Sequence, residues 1–219
     1  MRVISPSAKI LTPIDSLEIL KFIEKVGRTC YKSEDKITDE SCYKFVKMIV
    51  DSGHESVLEH RGFTVEFTND RGVSHEEVRH RLASFSQEST RYCNYSKDKF
   101  DKNITYIDIQ GAKKYDKAMD NLDPKTFDLI YNEWYEACLD AERHYMKMIE
   151  LGATPQLARS VLNNSTKTTI CVTANLREWR TILKQRTSPA AHPQIREVMI
   201  PLLEELKSKI PIIFDDINP

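Results

Sequence analysis

An α/β class follows from the order in which two kinds of segment recur along the chain. Residues 63–68 (FTVEFT) alternate apolar and polar side chains, and residues 168–173 (TTICVT) are β-branched, as strands are. Between and around them lie segments whose apolar residues repeat with helical spacing, the longest running from Asp123 to Gly152. At 219 residues the chain is long enough for one substantial core, so residues 1–219 read as a single domain.

In order, Val3 and Ile4 read as a short strand. Residues 17–26 form a helix with Leu17, Leu20, Phe22, Ile23 and Val26 apolar, stopped near Gly27. Residues 38–52 form a second, capped by Thr38 or Asp39 and ended by Gly53. After the strand 63–68, Asn69, Asp70 and Gly72 make a turn. Ser74 and Glu77 then form a capping box, so that residues 79–81 fall toward the end of a short helix. Two residues apart on a helix is a rotation of about 200°, which points Arg79 and Arg81 at different groups. Residues 97–121 are polar and lysine-rich, a loop interrupted by a strand at 104–109. Asp123-Pro124 opens the long helix by the cap-then-proline rule, and its stripe of Phe127, Tyr131, Trp134, Cys138 and Tyr145 is core. Thr154-Pro155 starts a helix carrying Arg159. Residues 175–186 are helical, with Leu176, Trp179, Ile182 and Leu183 buried and Arg177, Arg180, Lys184 and Arg186 on a charged face. Pro193 leads into a last helix over 194–206.

The chemistry concentrates in residues 78–95, VRHRLASFSQESTRYCNY. Arg79, Arg81 and Arg91 stand among Ser84, Ser86, Gln87, Glu88, Ser89 and Thr90, with His80, Tyr92 and Tyr95. Arginine, with its planar fork, suits phosphate or carboxylate, and small hydroxyl residues let backbone amides approach an anion. The stretch reads either as an anion cradle or as an arginine-rich turn making buried ion pairs. The net charge of −1 gives no global basic field, so phosphate recognition is local and nucleic acid is not the expected partner.

Other classes are weighed on single features. Upstream, GHESVLEH places His54 and His60 six apart, the wrong spacing for a zincin, and no metal site is expected. His54 and Ser56 either meet an anion at a helix start or are structural. Five scattered cysteines without a CxxC pair argue against disulfides and zinc knuckles; a cysteine-nucleophile transferase would rest on Cys93. A non-catalytic nucleotide- or RNA-binding module would need a broad basic face. No apolar run of membrane-spanning length and no signal-peptide core appear, so a cytoplasmic protein without a membrane partner is expected. No GxGxxG follows the first strand, so any flavin is not held by a Rossmann fingerprint.

Arg79-His80-Arg81, followed by Ser84, Gln87, Ser89, Arg91 and Tyr92, resembles the signature of the flavin-dependent thymidylate synthases. GHESVLEH upstream, LARSVL around Arg159, and Asn175-Leu176-Arg177 followed by Arg186 and His192 resemble that family's other segments in order. The chain departs from it at Glu76, at Ser86-Gln87, at Thr181 and in two added residues between Arg186 and His192. The resemblance implies a mixed sheet flanked by helices and a homotetramer with sites shared between subunits. It implies methylation of dUMP to dTMP, with methylenetetrahydrofolate giving the carbon and FAD, reduced by NADPH, carrying the hydride. The family's FAD contacts fall on Ser56, Arg79, His80, Arg81, Gln87, Asn175, Arg177 and Thr181. Its dUMP contacts fall on Glu76, Glu77, Arg79, Gln87, Glu88, Ser89, Thr90, Arg91, Arg159 and Arg186. Arg186 is the residue the resemblance ties to activation of the uracil; the weaker alternative is a solvated arginine on a basic helix end.

Overall fold

The computed structural model describes residues 1–30 and 32–219. Strands β2 (Ser7–Ile10), β3 (Gly62–Asp70), β6 (Lys167–Asn175) and β4 (Ala83–Gln87) lie side by side in that order, every pair antiparallel. Two further strands, β1 (Arg2–Ile4) and β5 (Thr105–Ile107), pair in parallel as a separate ribbon. The antiparallel bridge Tyr106↔Thr166 ties that ribbon to the start of β6. The expected mixed sheet is corrected: among the described residues the four-stranded sheet is wholly antiparallel and the parallel pair stands apart as its own ribbon.

The sheet follows from side-chain alternation. Phe63, Val65 and Phe67 of β3 and Thr168, Ile170, Val172 and Ala174 of β6 point to one face and are buried. The register pairs Val65 with Val172 and Phe67 with Ile170, so a slip of one residue would turn the whole apolar set to solvent. Over this face pack α1 (Ser16–Thr29), α2 (Ser41–Asp51), α6 (Leu176–Arg186) and α7 (Pro193–Lys209). Trp179 of α6 stacks on Phe63 at 5.0 Å between centroids, and its indole N–H donates to the Phe63 carbonyl at 3.0 Å. A smaller core forms where α4 (Pro124–Glu150) and α5 (Pro155–Ala158) meet the ribbon through Cys138, Tyr145, Ala158, Ile104 and Tyr106.

Several local expectations are corrected. α1 runs past Gly27, which does not stop the helix: a Cβ there would lie 2.6 Å from the Phe45 ring, so the glycine lets α1 and α2 approach. α2 begins at Ser41, whose hydroxyl accepts from the Thr38 N–H and donates to Glu24. The capping box at Ser74 does not form. β3 continues to Asp70, and Asp70 itself caps α3 (Arg71–Glu77) by accepting from the Val73 N–H at 2.7 Å. Arg79, His80 and Arg81 therefore sit in the turn after α3, and a helical rotation between the two arginines does not apply. Residues 83–87 then form β4, a strand the sequence reading did not predict. Arg180, placed on a solvated face, is buried and held by Glu55, by both carboxylate oxygens of Asp216 and by the Ile213 carbonyl. Within 97–121 the chain forms short 3-10 turns, and Arg196 of α7 donates to the Tyr115 carbonyl at 3.0 Å. Among the described residues no helix is long and apolar enough to cross a membrane.

Candidate functional site

One end of the sheet gathers three distant segments. Gly62 pairs with Asn175 and Ala83 with Ala174, so the 3-10 segment Glu55–His60, the turn carrying Arg79–Arg81, and the start of α6 all meet there. Gly62 is required at this meeting, because a Cβ would run into the Ala174 carbonyl. Asn175 caps α6 by accepting from the Glu178 N–H at 2.8 Å.

Arg186, at the last turn of α6, reaches back across the end of α3. Its Nε–H donates to His80 Nε2 at 3.1 Å, one terminal nitrogen donates to Glu76 Oε2 at 2.7 Å, and the other to the Glu76 carbonyl at 3.0 Å. A guanidinium has five N–H donors, so one remains on each terminal nitrogen after these three bonds. Only about a tenth of the Arg186 side chain is exposed, which holds the fork in one orientation. His80 is buried, and burial together with the neighbouring Arg186 charge pushes its pKa down to about 4. It is neutral near pH 7. Since Arg186 Nε can only donate, His80 Nε2 must accept, and the imidazole proton lies on Nδ1, 3.6 Å from Glu178 Oε1. Burial also raises the Glu178 pKa, against the lowering effect of Arg177.

Ser56, Arg177 and Thr181 line the exposed side of this junction. Arg177 pairs with Glu59, and the Thr181 hydroxyl donates to the Arg177 carbonyl at 3.2 Å. Arg79 and Arg81 are exposed; among the described residues neither has a carboxylate within ion-pair distance, and Arg79 donates only to the His75 carbonyl at 3.3 Å. These are cations open to an anion. The set fits a pyrophosphate-bearing cofactor.

A second cluster forms beyond the other end of β4. Arg159 donates to the buried Thr90 hydroxyl at 3.1 Å, Arg91 to Gln156 at 3.4 Å, and the Arg91 N–H to Ser89 Oγ at 3.3 Å. Thr90, Gln156 and Arg159 line a cleft of about 410 Å³ with Arg71, His75 and Asn163. Sequence reasoning missed Arg71 and His75, although their spacing of four places both on one side of α3. α3 joins the clusters: His75 lines the cleft while Glu76, the next residue, holds Arg186.

Three expected nucleotide contacts are placed elsewhere. Glu77 is turned into the protein, 2% exposed, accepting from Asn69 Nδ2 at 2.9 Å; burial pushes its pKa up to about 8. It lies on the inner side of α3, three and four residues after the buried Ser74 and Val73. Gln87 faces inward and donates to Ser74 Oγ at 2.8 Å and Thr168 Oγ1 at 3.2 Å. Glu88 faces the ribbon, paired with Lys167 at 2.8 Å and accepting from the Tyr95 hydroxyl at 3.1 Å. Burial, then the Glu88 charge, raises the Cys93 pKa, the reverse of what a nucleophilic thiolate needs.

Comparison with known proteins gives a consistent picture. Residues 14–212 match the family model described as thymidylate synthase complementing protein. A flavin-dependent thymidylate synthase of Corynebacterium efficiens is 32% identical over 217 residues, covering 97% of this chain and 85% of that protein. Its counterpart in Pyrococcus furiosus is 30% identical over 208 residues, covering 94% and 78%. Among solved structures, the UMP/dUMP methylase PolB from Streptomyces cacaoi, bound with 5-Br dUMP, superposes with a TM-score of 0.79 over 98% of this chain and 96% of that one. At 19% identity that likeness shows a shared fold.

Proposed function

The chain belongs to the thymidylate synthase complementing protein family, and from that premise we propose how its own residues carry the reaction of a flavin-dependent thymidylate synthase. The substrate is dUMP and the product dTMP, with methylenetetrahydrofolate as carbon donor. Bound FAD, reduced by NADPH, supplies the hydride.

Ser56, Arg79, Arg81, Asn175, Arg177 and Thr181 would hold the flavin at the end of the sheet, the exposed arginines meeting its pyrophosphate. Ser89, Thr90, Arg91 and Arg159 would take the nucleotide phosphate in the cleft beside α3, with Arg71 and His75 adding two donors. The Arg186 fork would meet the uracil. Without an enzyme thiol adding to the ring, C5 becomes nucleophilic only if electron density is pushed through the ring, and negative charge builds on the N3–O4 side. A fixed guanidinium stabilises that charge more in the transition state than in the ground state, which raises rate rather than affinity.

The observation that carries this reading is the pair of N–H donors left on Arg186 after Glu76 and His80 have taken the other three. We further propose a homotetramer with sites shared between subunits. In support, Leu129, Leu139, Leu82 and Tyr92 are exposed by 65%, 40%, 67% and 78%, and two of these lie on α4. Burial of such surface is what an obligate interface provides.

Purified protein mixed with FAD is expected to show oxidised-flavin absorbance that bleaches with NADPH, and to form dTMP from dUMP and methylenetetrahydrofolate. A protein that does not bind FAD in titration overturns the flavin site. In single-turnover oxidation of reduced flavin, Arg186→Ala should be slower by on the order of a hundredfold, as for loss of one preorganised donor. A wild-type rate removes Arg186 from the mechanism.

A further inference from the structure

We propose that Glu178 is a positioning residue for the reaction: acting through His80, it sets the rotation of the Arg186 guanidinium, with Glu76 as the opposing stop. This rests on the reading of Arg186 as the group that polarises the uracil. It gives Glu178 a role that the flavin and nucleotide contacts do not include, and it makes His80 the link between Glu178 and Arg186.

Arg186 cannot orient itself. Its side chain is long and unbranched, and two N–H donors useful to a planar base must lie in the plane of that base. Rotation about the bonds leading to Nε is stopped on one side by two bonds to Glu76, at 2.7 Å to the carboxylate and 3.0 Å to the carbonyl. On the other side it is stopped by His80 Nε2 at 3.1 Å. The His80 stop works in one tautomer only, because a proton on Nε2 would face the Arg186 Nε–H donor to donor. Arg186 already disfavours a proton on Nε2, and a carboxylate on the far side of the ring reinforces that choice by drawing the proton to Nδ1. Glu178 Oε1 stands 3.6 Å from His80 Nδ1, and Glu178 is itself buried, so its oxygen is not spent on solvent.

Glu178 and Arg186 also share α6. Glu178 lies in its capped first turn and Arg186 in its last, so the helix fixes the two ends of the relay relative to one another. Between them the helix is bound to the core by Trp179 and Leu183, both fully buried. A carboxylate orienting a neutral imidazole, which in turn places a reacting group, is a known physical arrangement; there, exchanging the carboxylate for an amide favours the wrong tautomer.

Glu178→Gln keeps size and helix propensity but offers His80 Nδ1 an amide that can donate. The expected result is a slower single-turnover methyl transfer, by about tenfold to a hundredfold as for loss of an orienting partner. The flavin content and the KM for dUMP should stay near wild type, and Glu178→Asp, which keeps the carboxylate but sets it back from His80, should recover only part of the rate. In an Arg186→Lys background, Glu178→Gln should cost nothing further, since the fork it orients is gone. An equal loss in both backgrounds would mean a structural role and overturn the proposal, as would a wild-type rate in Glu178→Gln when Arg186→Lys is slow. If Arg186→Lys itself runs at the wild-type rate, the reading of Arg186 fails instead. One measurement needs no variant: imidazole nitrogen shifts in histidine-labelled wild-type protein should show His80 neutral with its proton on Nδ1. The Nε2–H tautomer overturns the proposal even if Glu178→Gln fails to fold.

Discussion

Replacing Glu77 by glutamine should stabilise the protein at alkaline pH and leave it nearly unchanged in mild acid. Glu77 is 2% exposed; one oxygen accepts from Asn69 and the other has no partner, so the cost of charging it is only partly offset. Desolvation raises its pKa from 4.5 to about 8, with Asp70 and Glu76 adding to the rise and Asn69 and Arg186 opposing it. The folded state therefore favours the neutral acid. The associated stability is fully present below the ordinary carboxylate pKa and is lost as pH rises through about 8. Between those limits the difference amounts to about 5 kcal/mol at one pKa unit per about 1.4 kcal/mol, and roughly 3 kcal/mol of it is already lost near neutral pH. Glutamine keeps an oxygen for Asn69 and never ionises. Near pH 7 the variant should melt roughly 6–12 °C higher than wild type, at about 2–4 °C per kcal/mol for a chain of this size, and the gap should widen toward pH 8. Near pH 4 the two should nearly coincide. There both also lose stability, because His80, held down to about 4 by burial, must be charged in the unfolded chain first. The assay is thermal unfolding followed by circular dichroism from about pH 4 to about pH 9. Parallel pH profiles for the two proteins would refute the claim that Glu77 is buried as a neutral acid.

Two further outcomes are expected. Arg91→Ala removes an exposed cation beside the Thr90–Arg159 cleft, so it should weaken dUMP by one to two decades, about 1.5–3 kcal/mol for a charged hydrogen bond, while reduction of bound flavin by NADPH without dUMP survives. Loss of flavin with dUMP affinity intact, read by titration, would show that this end of the motif serves the other ligand. Gly27→Ala brings a Cβ to 2.6 Å from the Phe45 ring, which is already covered by Arg28 at 4.8 Å. Overpacking of about 1–3 kcal/mol should exceed the gain of about 1 kcal/mol in helix propensity, so urea unfolding should show net destabilisation. A stabilised variant would mean that α1 and α2 can separate freely.

The elements that could be read from the sequence are those fixed by local rules. Asp123 and Asn175 cap α4 and α6 through their own side chains, Gly152 takes φ 94° just past α4, and the alternation of β3 is visible in FTVEFT. Errors arose where a local rule had two answers. Asp70 and Ser74 are both good caps, and the choice falls to Asp70 because β3 stays paired with β6 as far as Asp70↔Lys167. β4 does alternate, with Ala83, Phe85 and Gln87 turned inward and Ser84 and Ser86 outward, but its residue types suggest an anion cradle before they suggest a strand. Gly27 reads as a helix stop because the reason for the glycine, Phe45, lies on another helix. Arg180 reads as solvated because Asp216, 36 residues on, is what buries it.

The same division holds at the site. The inventory was visible: arginines, a histidine, small hydroxyls and a distant Arg186. Which of them meet was not, because Arg186 lies 110 residues from Glu76 and 106 from His80. Their meeting is decided by the register of an antiparallel sheet, Gly62 opposite Asn175 and Ala83 opposite Ala174, which no motif encodes. On the proposed function, that register also explains how one helix would serve two ligands. α6 starts at the sheet end, where its exposed face offers Arg177 and Thr181, and it stops over α3, where Arg186 is clamped. Its inner face, through Trp179, Arg180 and Leu183, is locked into the core and the C-terminal tail. A site whose reacting geometry depends on one rigid helix is sensitive to whatever orients that helix's last side chain, and the relay we propose would let an acid in the first turn of α6, absent from any binding motif, govern a guanidinium in the last.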